Sequence, residues 1–63
     1  MLYTVKAYLK DGRLLFAYNT VEWSEARCRF ISTPRINKEV GRMEFYFEGE
    51  LQAVRENEKT VFV

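Results

Sequence analysis

Two runs of alternating apolar and polar residues open the chain and predict a β-hairpin. Residues 3–9 and 14–18 flank the pair Asp11-Gly12, and this pair between alternating runs is a strong hairpin signal. A two-residue type I′ turn there, which needs positive φ at both central positions, gives the hairpin one apolar face. The expected cross-strand pairs on that face are Leu9 with Leu14, Ala7 with Phe16 and Val5 with Tyr18.

Alternation returns in the second half of the chain. Residues 42–48 alternate strictly, which predicts a strand with Met43, Phe45 and Phe47 facing the core. A turn at residues 48–50 and a last turn near residues 57–58 then add two further strands. The cross-strand pairs expected around the first of these turns are Phe47 with Leu51 and Phe45 with Ala53.

The middle of the chain is harder to assign. Residues 25–31 alternate with Ala26, Cys28 and Phe30 on one side, and this pattern favours a third strand in which Cys28 is a small buried residue. The alternative is a helix beginning at Thr20, because Trp23, Ala26 and Phe30 also follow a three-to-four spacing.

Residues 33–41 carry signals for one or two helical turns. Thr33 is a suitable cap, Pro34 suits the first helical position, and Ile36 and Val40 lie four residues apart. A long, mobile hairpin loop is an equal alternative for this stretch.

These patterns predict one small domain over residues 1–63 that is mainly β. We expect an antiparallel meander of five to six strands, either as a curled sheet or as a small barrel of SH3-like size. At most one short helix is expected, at residues 33–40 or 20–30. Strand order remains open, because a meander and a swapped barrel share these turns.

The composition excludes several kinds of site but does not identify a function. The 63 residues include ten aromatic side chains, one Cys and no His, so no intrachain disulfide is possible and the usual zinc ligand sets are missing. The carboxylates of Glu44, Glu48 and Glu50 fit ordinary unpaired surface positions. We therefore expect a non-enzymatic protein without cofactor, metal or small-molecule substrate. With no signal-like N-terminus and no long apolar run, the expected localisation is cytoplasmic and away from membranes.

The sheet face opposite the core carries more apolar residues than a face that only contacts water. In a closed barrel, residues 20–25 would cover some of them, whereas in an open sheet they would form a contact surface. The leading hypothesis is an interaction or regulatory module that binds a partner protein through this face. We also expect this module to form a homodimer, because residues 60–63 make an edge strand that must be paired or hidden. The predicted interface residues are Tyr8, Leu15, Trp23 and Tyr46.

The alternative hypothesis is a small β-barrel that binds nucleic acid with the basic segment 27–42. Its phosphate contacts would be Arg27, Arg29, Arg35, Lys38 and Arg42. A formal net charge of only +1 argues against it. If residues 25–31 form a strand beside residues 42–48, the first two arginines would also be neutralised across from Glu44, Tyr46 or Glu48.

Overall fold

The computed structural model describes all 63 residues as one antiparallel sheet with a single helix on one of its faces. In chain order the elements are β1 (Tyr3–Leu9), β2 (Leu14–Thr20), α1 (Trp23–Ile36), β3 (Val40–Phe47), β4 (Glu50–Glu56) and β5 (Lys59–Phe62). The five strands lie in the order β2-β1-β3-β4-β5, and the sheet does not close into a barrel. The predicted mainly β, antiparallel fold is confirmed, with an open sheet rather than a barrel.

The first hairpin forms where it was predicted but with a different turn. The Gly12 N–H donates to the Leu9 carbonyl over 2.9 Å, and the Leu9 N–H donates to the Arg13 carbonyl over 2.8 Å. Gly12 has a φ of +94° whereas Asp11 has no positive φ, so the expected type I′ turn is wrong.

This turn changes the register at the end of the hairpin nearest to it. The pairs Ala7 with Phe16 and Val5 with Tyr18 are confirmed. The register then shifts after Ala7, so that Leu14 lies opposite Tyr8 and not opposite Leu9.

The strand predicted for residues 25–31 is wrong, because this segment lies within the helix α1. The alternative of a helix in this region is confirmed, although it begins at Trp23 rather than at Thr20 and continues to Ile36. Ala26 and Phe30 are four residues apart and both are buried against the sheet, which fits a helical turn as well as it fits alternation. The short helix predicted for residues 33–40 is also wrong. Pro34 lies in the last turn of α1 rather than in a first turn, and the helix ends where the Asn37 N–H donates to the Thr33 carbonyl.

The later strands follow the prediction closely. β3 places Met43, Phe45 and Phe47 toward the helix, and the pair of Phe45 with Ala53 is confirmed. Between Phe45 and Tyr46 the register shifts, so Phe47 pairs with Glu50 instead of Leu51. The predicted turn at residues 57–58 is confirmed, because β4 ends at Glu56 and β5 begins at Lys59.

The core lies between α1 and the middle of the sheet. Its buried side chains are those of Val5, Ala7, Ala26, Phe30, Val40, Met43 and Ala53. Phe30 meets Phe45 edge to face, with ring centroids 5.7 Å apart, which is a favourable aromatic geometry. Small residues on β1 and α1 let the helix approach the sheet, while the aromatic rings fill the remaining space.

The connection through α1 returns the chain to β1 and not to β2, so the strands do not follow the consecutive order of the predicted meander. β3 pairs with β1 along its length, from Tyr3 with Phe47 to Leu9 with Val40. The helix packs on β1, β2 and β3, and it leaves the same face of the β4–β5 hairpin without a comparable cover. This helix is not long and apolar enough to cross a membrane.

Candidate interaction surfaces

The face of the sheet that points away from α1 has no covering layer. Its residues alternate with the core residues along each strand and are matched across the sheet by the observed pairing, for example Lys6 with Glu44 and Val54 with Val61. We call this surface the open face. Its members include Lys6, Tyr8, Leu15, Ala17, Arg42, Glu44, Tyr46, Val54 and Val61.

A buried carboxylate organises the centre of the open face. The Tyr46 hydroxyl donates to Glu44 Oε1 over 2.7 Å, and Arg42 Nε donates to Glu44 Oε2 over 2.8 Å. Glu44 is only 8% exposed, so the expectation that it is an ordinary unpaired surface residue is wrong. The Lys6 ammonium lies 4.8 Å from the centre of the Tyr46 ring, within cation–π distance. These contacts fix Tyr46 at both its ring and its hydroxyl.

The same contacts shift the proton equilibria of the cluster. Burial alone would raise the pKa of Glu44, but the hydrogen bonds from Tyr46 and Arg42 and the Arg42 charge outweigh it, so this pKa is lowered. The hydrogen bond to Glu44, followed by burial, raises the pKa of Tyr46 to about 12. Burial, followed by the Glu44 charge, raises the pKa of Tyr8. The cluster therefore holds an ionised Glu44 beneath two protonated tyrosines at neutral pH.

The four predicted interface residues do not form one surface. Tyr8 and Tyr46 lie on the open face, on the neighbouring strands β1 and β3. Leu15 is exposed on β2 and, by alternation with Phe16, belongs to the same face. Trp23 is exposed in the first turn of α1, on the other side of the sheet. The open face thus brings three of the four together.

The predicted basic residues also divide into two groups. Arg27 and Arg29 lie on α1, with their guanidinium carbons 5.7 Å from the Trp23 ring centre and 4.0 Å from the Tyr18 ring centre. They are not opposite Glu44 on a strand, so the expected cross-strand neutralisation is wrong, and its cause is the helical conformation of this segment.

The other predicted cations meet at one end of the sheet. Arg35, Lys38 and Arg42 line a cavity of about 420 Å³, to which Lys10 and Arg55 contribute. Two carboxylates, those of Glu56 and Glu58, line the same cavity. Arg42 lies 3.6 Å from Glu56 and also pairs with Glu44, so its charge is partly compensated. This surface, which we call the basic end, collects cations that lie far apart in the sequence.

A groove lies on the helix side of the sheet, where α1 leaves β4 and β5 uncovered. It has a volume of about 690 Å³, and eight of its eleven lining residues are hydrophobic. Its walls include Trp23, Phe30, Phe45 and Phe62. Phe62, on the edge strand β5, is 80% exposed. The groove is therefore an apolar surface that continues to the edge of the sheet.

Cys28 does not behave as the alternating pattern suggested. It is exposed on α1, 3.7 Å from the Ser32 hydroxyl, so the expectation of a buried cysteine is wrong. The chain contains no group of three or more His, Cys, Asp or Glu side chains arranged to hold a metal ion.

The sequence contained one signal for the Glu44 cluster. Arg42, Glu44 and Tyr46 occupy every second position of a predicted strand, which puts a base, an acid and a phenol on one face.

Comparisons with protein-family models, with curated proteins and with solved structures found no match for this chain.

Proposed function

We propose that this protein is an interaction module that binds a partner protein through the open face and associates with itself through a sheet edge. It acts by burying surface and carries out no chemistry. The observation that supports this function best is the Glu44 cluster, which holds Tyr46 in place on an uncovered sheet face. An ordered tyrosine contributes a large contact area for little further loss of conformational freedom.

The surroundings of Tyr46 have the composition of an interface centre. Tyr8 and Val54, which lie beside Glu44, add aromatic and aliphatic area, and the charge of Glu44 is already compensated within the cluster. A partner that covers this centre therefore does not have to satisfy the Glu44 carboxylate. Interface centres are poor in charged groups and rich in Tyr, which agrees with this arrangement.

Lys6 indicates which charge the partner surface should carry. It forms no ion pair within the chain, and its ammonium rests on the Tyr46 ring. A carboxylate on the partner, placed opposite Lys6, would complement it and fix the orientation of the complex. We therefore propose a partner surface with an apolar centre and an acidic group beside it.

The test is site-specific photo-crosslinking in cells of the source organism. Tyr46 is replaced by p-benzoylphenylalanine, which keeps an aromatic ring at the position, and the control carries the same residue at Ile36, which is 82% exposed on α1. We expect one discrete protein adduct from position 46, none from position 36, and a weaker adduct when Lys6→Glu is added but not when Lys38→Glu is added. Equal adducts from both positions, or no adduct from position 46, would refute the proposal.

A second candidate function is nucleic-acid binding through the basic end, favoured by the convergence of Arg35, Lys38 and Arg42 on one cavity. If these three cations contact phosphates, log affinity for a single-stranded oligonucleotide should fall against log salt with a slope of about −2 to −3. Replacing Lys38 by Gln should reduce this slope by about 1, whereas the matched Arg29→Gln variant should leave it unchanged. Fluorescence anisotropy measures both, and an affinity that does not respond to salt would exclude this function.

A further inference from the structure

The strand β5 leaves a row of main-chain hydrogen-bonding groups without partners. The Val63 N–H donates to the Gln52 carbonyl over 2.9 Å, which fixes the side of the strand that faces β4. Consecutive residues of a strand point their N–H and C=O groups to opposite sides. The main-chain groups of Val61 therefore also face β4, while those of Thr60 and Phe62 point away from it. β5 is the outer strand of the sheet, so these outward groups are open to another strand.

The side chains of β5 do nothing to block such pairing. Val61 is 63% exposed and Phe62 is 80% exposed, and no proline or charged residue lies between Lys59 and the end of the strand. Edge strands that remain single commonly carry inward-pointing charges, prolines or bulges. This edge instead presents apolar side chains on both faces, with Val61 on the open face and Phe62 on the groove side.

We propose that β5 pairs with β5 of a second copy of this chain, antiparallel, about a twofold axis that passes through Val61. This inference rests on the self-association included in the proposed function and gives it a defined geometry. Thr60 faces Phe62 of the partner subunit, and Phe62 faces the partner subunit's Thr60. The two sheets then join into one continuous sheet with both open faces on the same side.

The register follows from the positions of the outward-pointing groups. With the axis at Val61, Thr60 and Phe62 each donate one and accept one hydrogen bond, which satisfies all outward groups of the strand. With the axis at Thr60, the two copies of Thr60 would pair with each other, and Phe62 would lie opposite the turn that precedes β5. With the axis at Phe62, the two copies of Phe62 would pair, and Thr60 would lie opposite a position beyond the strand. The axis at Val61 is therefore the register that this strand favours.

This pairing also explains the exposed groove. Thr60 and Phe62 both line the groove, so the partner subunit's Phe62, lying opposite Thr60, would extend the groove wall across the axis. On the other face, Val61 packs on Val61 of the partner subunit, where directly opposed Cβ atoms lie about 5 Å apart. Val61 and Phe62, which are exposed in one copy, thus each gain an apolar or aliphatic neighbour on the adjoining strand, while the two faces of the joined sheet stay uncovered at β5.

Disulfide trapping tests the register. Cys28 is first replaced by Ser, and a single cysteine is then introduced as Val61→Cys. In a non-hydrogen-bonded pair the Cα atoms are about 4.5 Å apart, within the range that a disulfide spans. The matched control is Val21→Cys, because Val21 is 68% exposed and follows β2, at the opposite edge of the sheet. Under mild oxidation we expect the Val61→Cys protein to form covalent dimers at least about tenfold faster than the control, as expected for a high effective concentration.

Light scattering of the unmodified chain and of Val61→Lys gives a second readout. Two lysines facing each other across the axis oppose pairing, so Val61→Lys should be monomeric at concentrations where the unmodified chain and Val21→Lys are dimers. Equal trapping rates at positions 61 and 21, with a dimer still present, would overturn this interface and leave self-association through another surface. A monomer at all concentrations would overturn both the interface and the proposed self-association, while the photo-crosslinking at Tyr46 would still decide partner binding independently.

Discussion

Replacing Tyr46 by Phe and Glu44 by Gln, separately and together, measures how strongly the cluster on the open face stabilises the fold. Tyr46→Phe removes one hydrogen bond to a charged acceptor, and such bonds contribute about 1.5–3 kcal/mol. Tyr46 is only partly buried, so we expect a cost near 1.5 kcal/mol. Glu44→Gln keeps an acceptor for one donor but loses the attraction to Arg42, and we expect about 2 kcal/mol.

The double variant gives the decisive number. Because Tyr46→Phe removes the 2.7 Å bond and Glu44→Gln replaces its charged acceptor with a neutral one, the double variant should cost about 1 kcal/mol less than the two single costs combined. Urea unfolding, followed by circular dichroism, measures each free energy of unfolding. With a denaturant dependence near 1 kcal/mol per molar, each single change should lower the midpoint by about 1–2 M urea.

Glu56→Gln is the matched control for the loss of a carboxylate near Arg42. Glu56 is exposed and its nearest oxygen is 3.6 Å from the Arg42 guanidinium, so its loss should cost no more than about 0.5 kcal/mol. Additive costs within about 0.5 kcal/mol would show that Tyr46 and Glu44 do not stabilise each other, and would refute the reasoning. The same holds if Glu56→Gln is as costly as Glu44→Gln.

Three further outcomes are expected from the same structure. Because the pKa of Tyr46 is about 12 in the folded chain against 10.0 ordinarily, the stability that it contributes is complete below pH 10 and is lost as the pH rises toward 12. Between pH 10 and pH 12 the urea midpoint should fall less for Tyr46→Phe than for the unmodified chain. Equal falls in both proteins would contradict a raised pKa of Tyr46. Gly41→Ala should lower the free energy of unfolding in urea by about 1–3 kcal/mol, because a Cβ at Gly41 would lie 3.0 Å from the backbone Cα of Lys10. An unchanged midpoint would show that the backbones at Gly41 and Lys10 can move apart without cost. Cys28 should react with a thiol reagent in the folded protein nearly as fast as in urea, whereas strong protection would mean that it is covered.

The parts of the fold that could be predicted from the sequence are those set by nearby residues. Two of the three hairpins lie where alternating runs meet Gly12 and Gly49, both of which have positive φ, and the third turns at Asn57 and Glu58, which also have positive φ. The helix could not be separated from a strand in this way. Ala26 and Phe30 satisfy both periods, and the helical conformation depends on burying both of them against strands that are distant in the sequence. Pro34, a typical first-turn residue, lies in the last turn of the helix.

The candidate surfaces show the same division. Alternation placed Tyr46 and Tyr8 correctly on the face opposite the core, because this needs only the period of a strand. The burial of Glu44 could not be predicted, since it requires β1 to lie beside β3 and bring Tyr8 and Lys6 next to it. The convergence of basic residues at one end of the sheet likewise depends on where the helix returns the chain.

The pairing of β1 with β3 also determines how the chain can fold. Every other neighbouring pair of strands in the sheet is a hairpin whose strands are joined by a short turn. β1 and β3 are joined only after β2 and α1 have been passed, so their pairing closes the longest loop in the molecule. We expect the hairpins and the helix to form quickly and locally, and the closure of β1 onto β3 to set the folding rate. Substitutions at Val5 or Met43, which pack along this seam, should therefore slow folding, whereas substitutions in β5 should mainly speed unfolding.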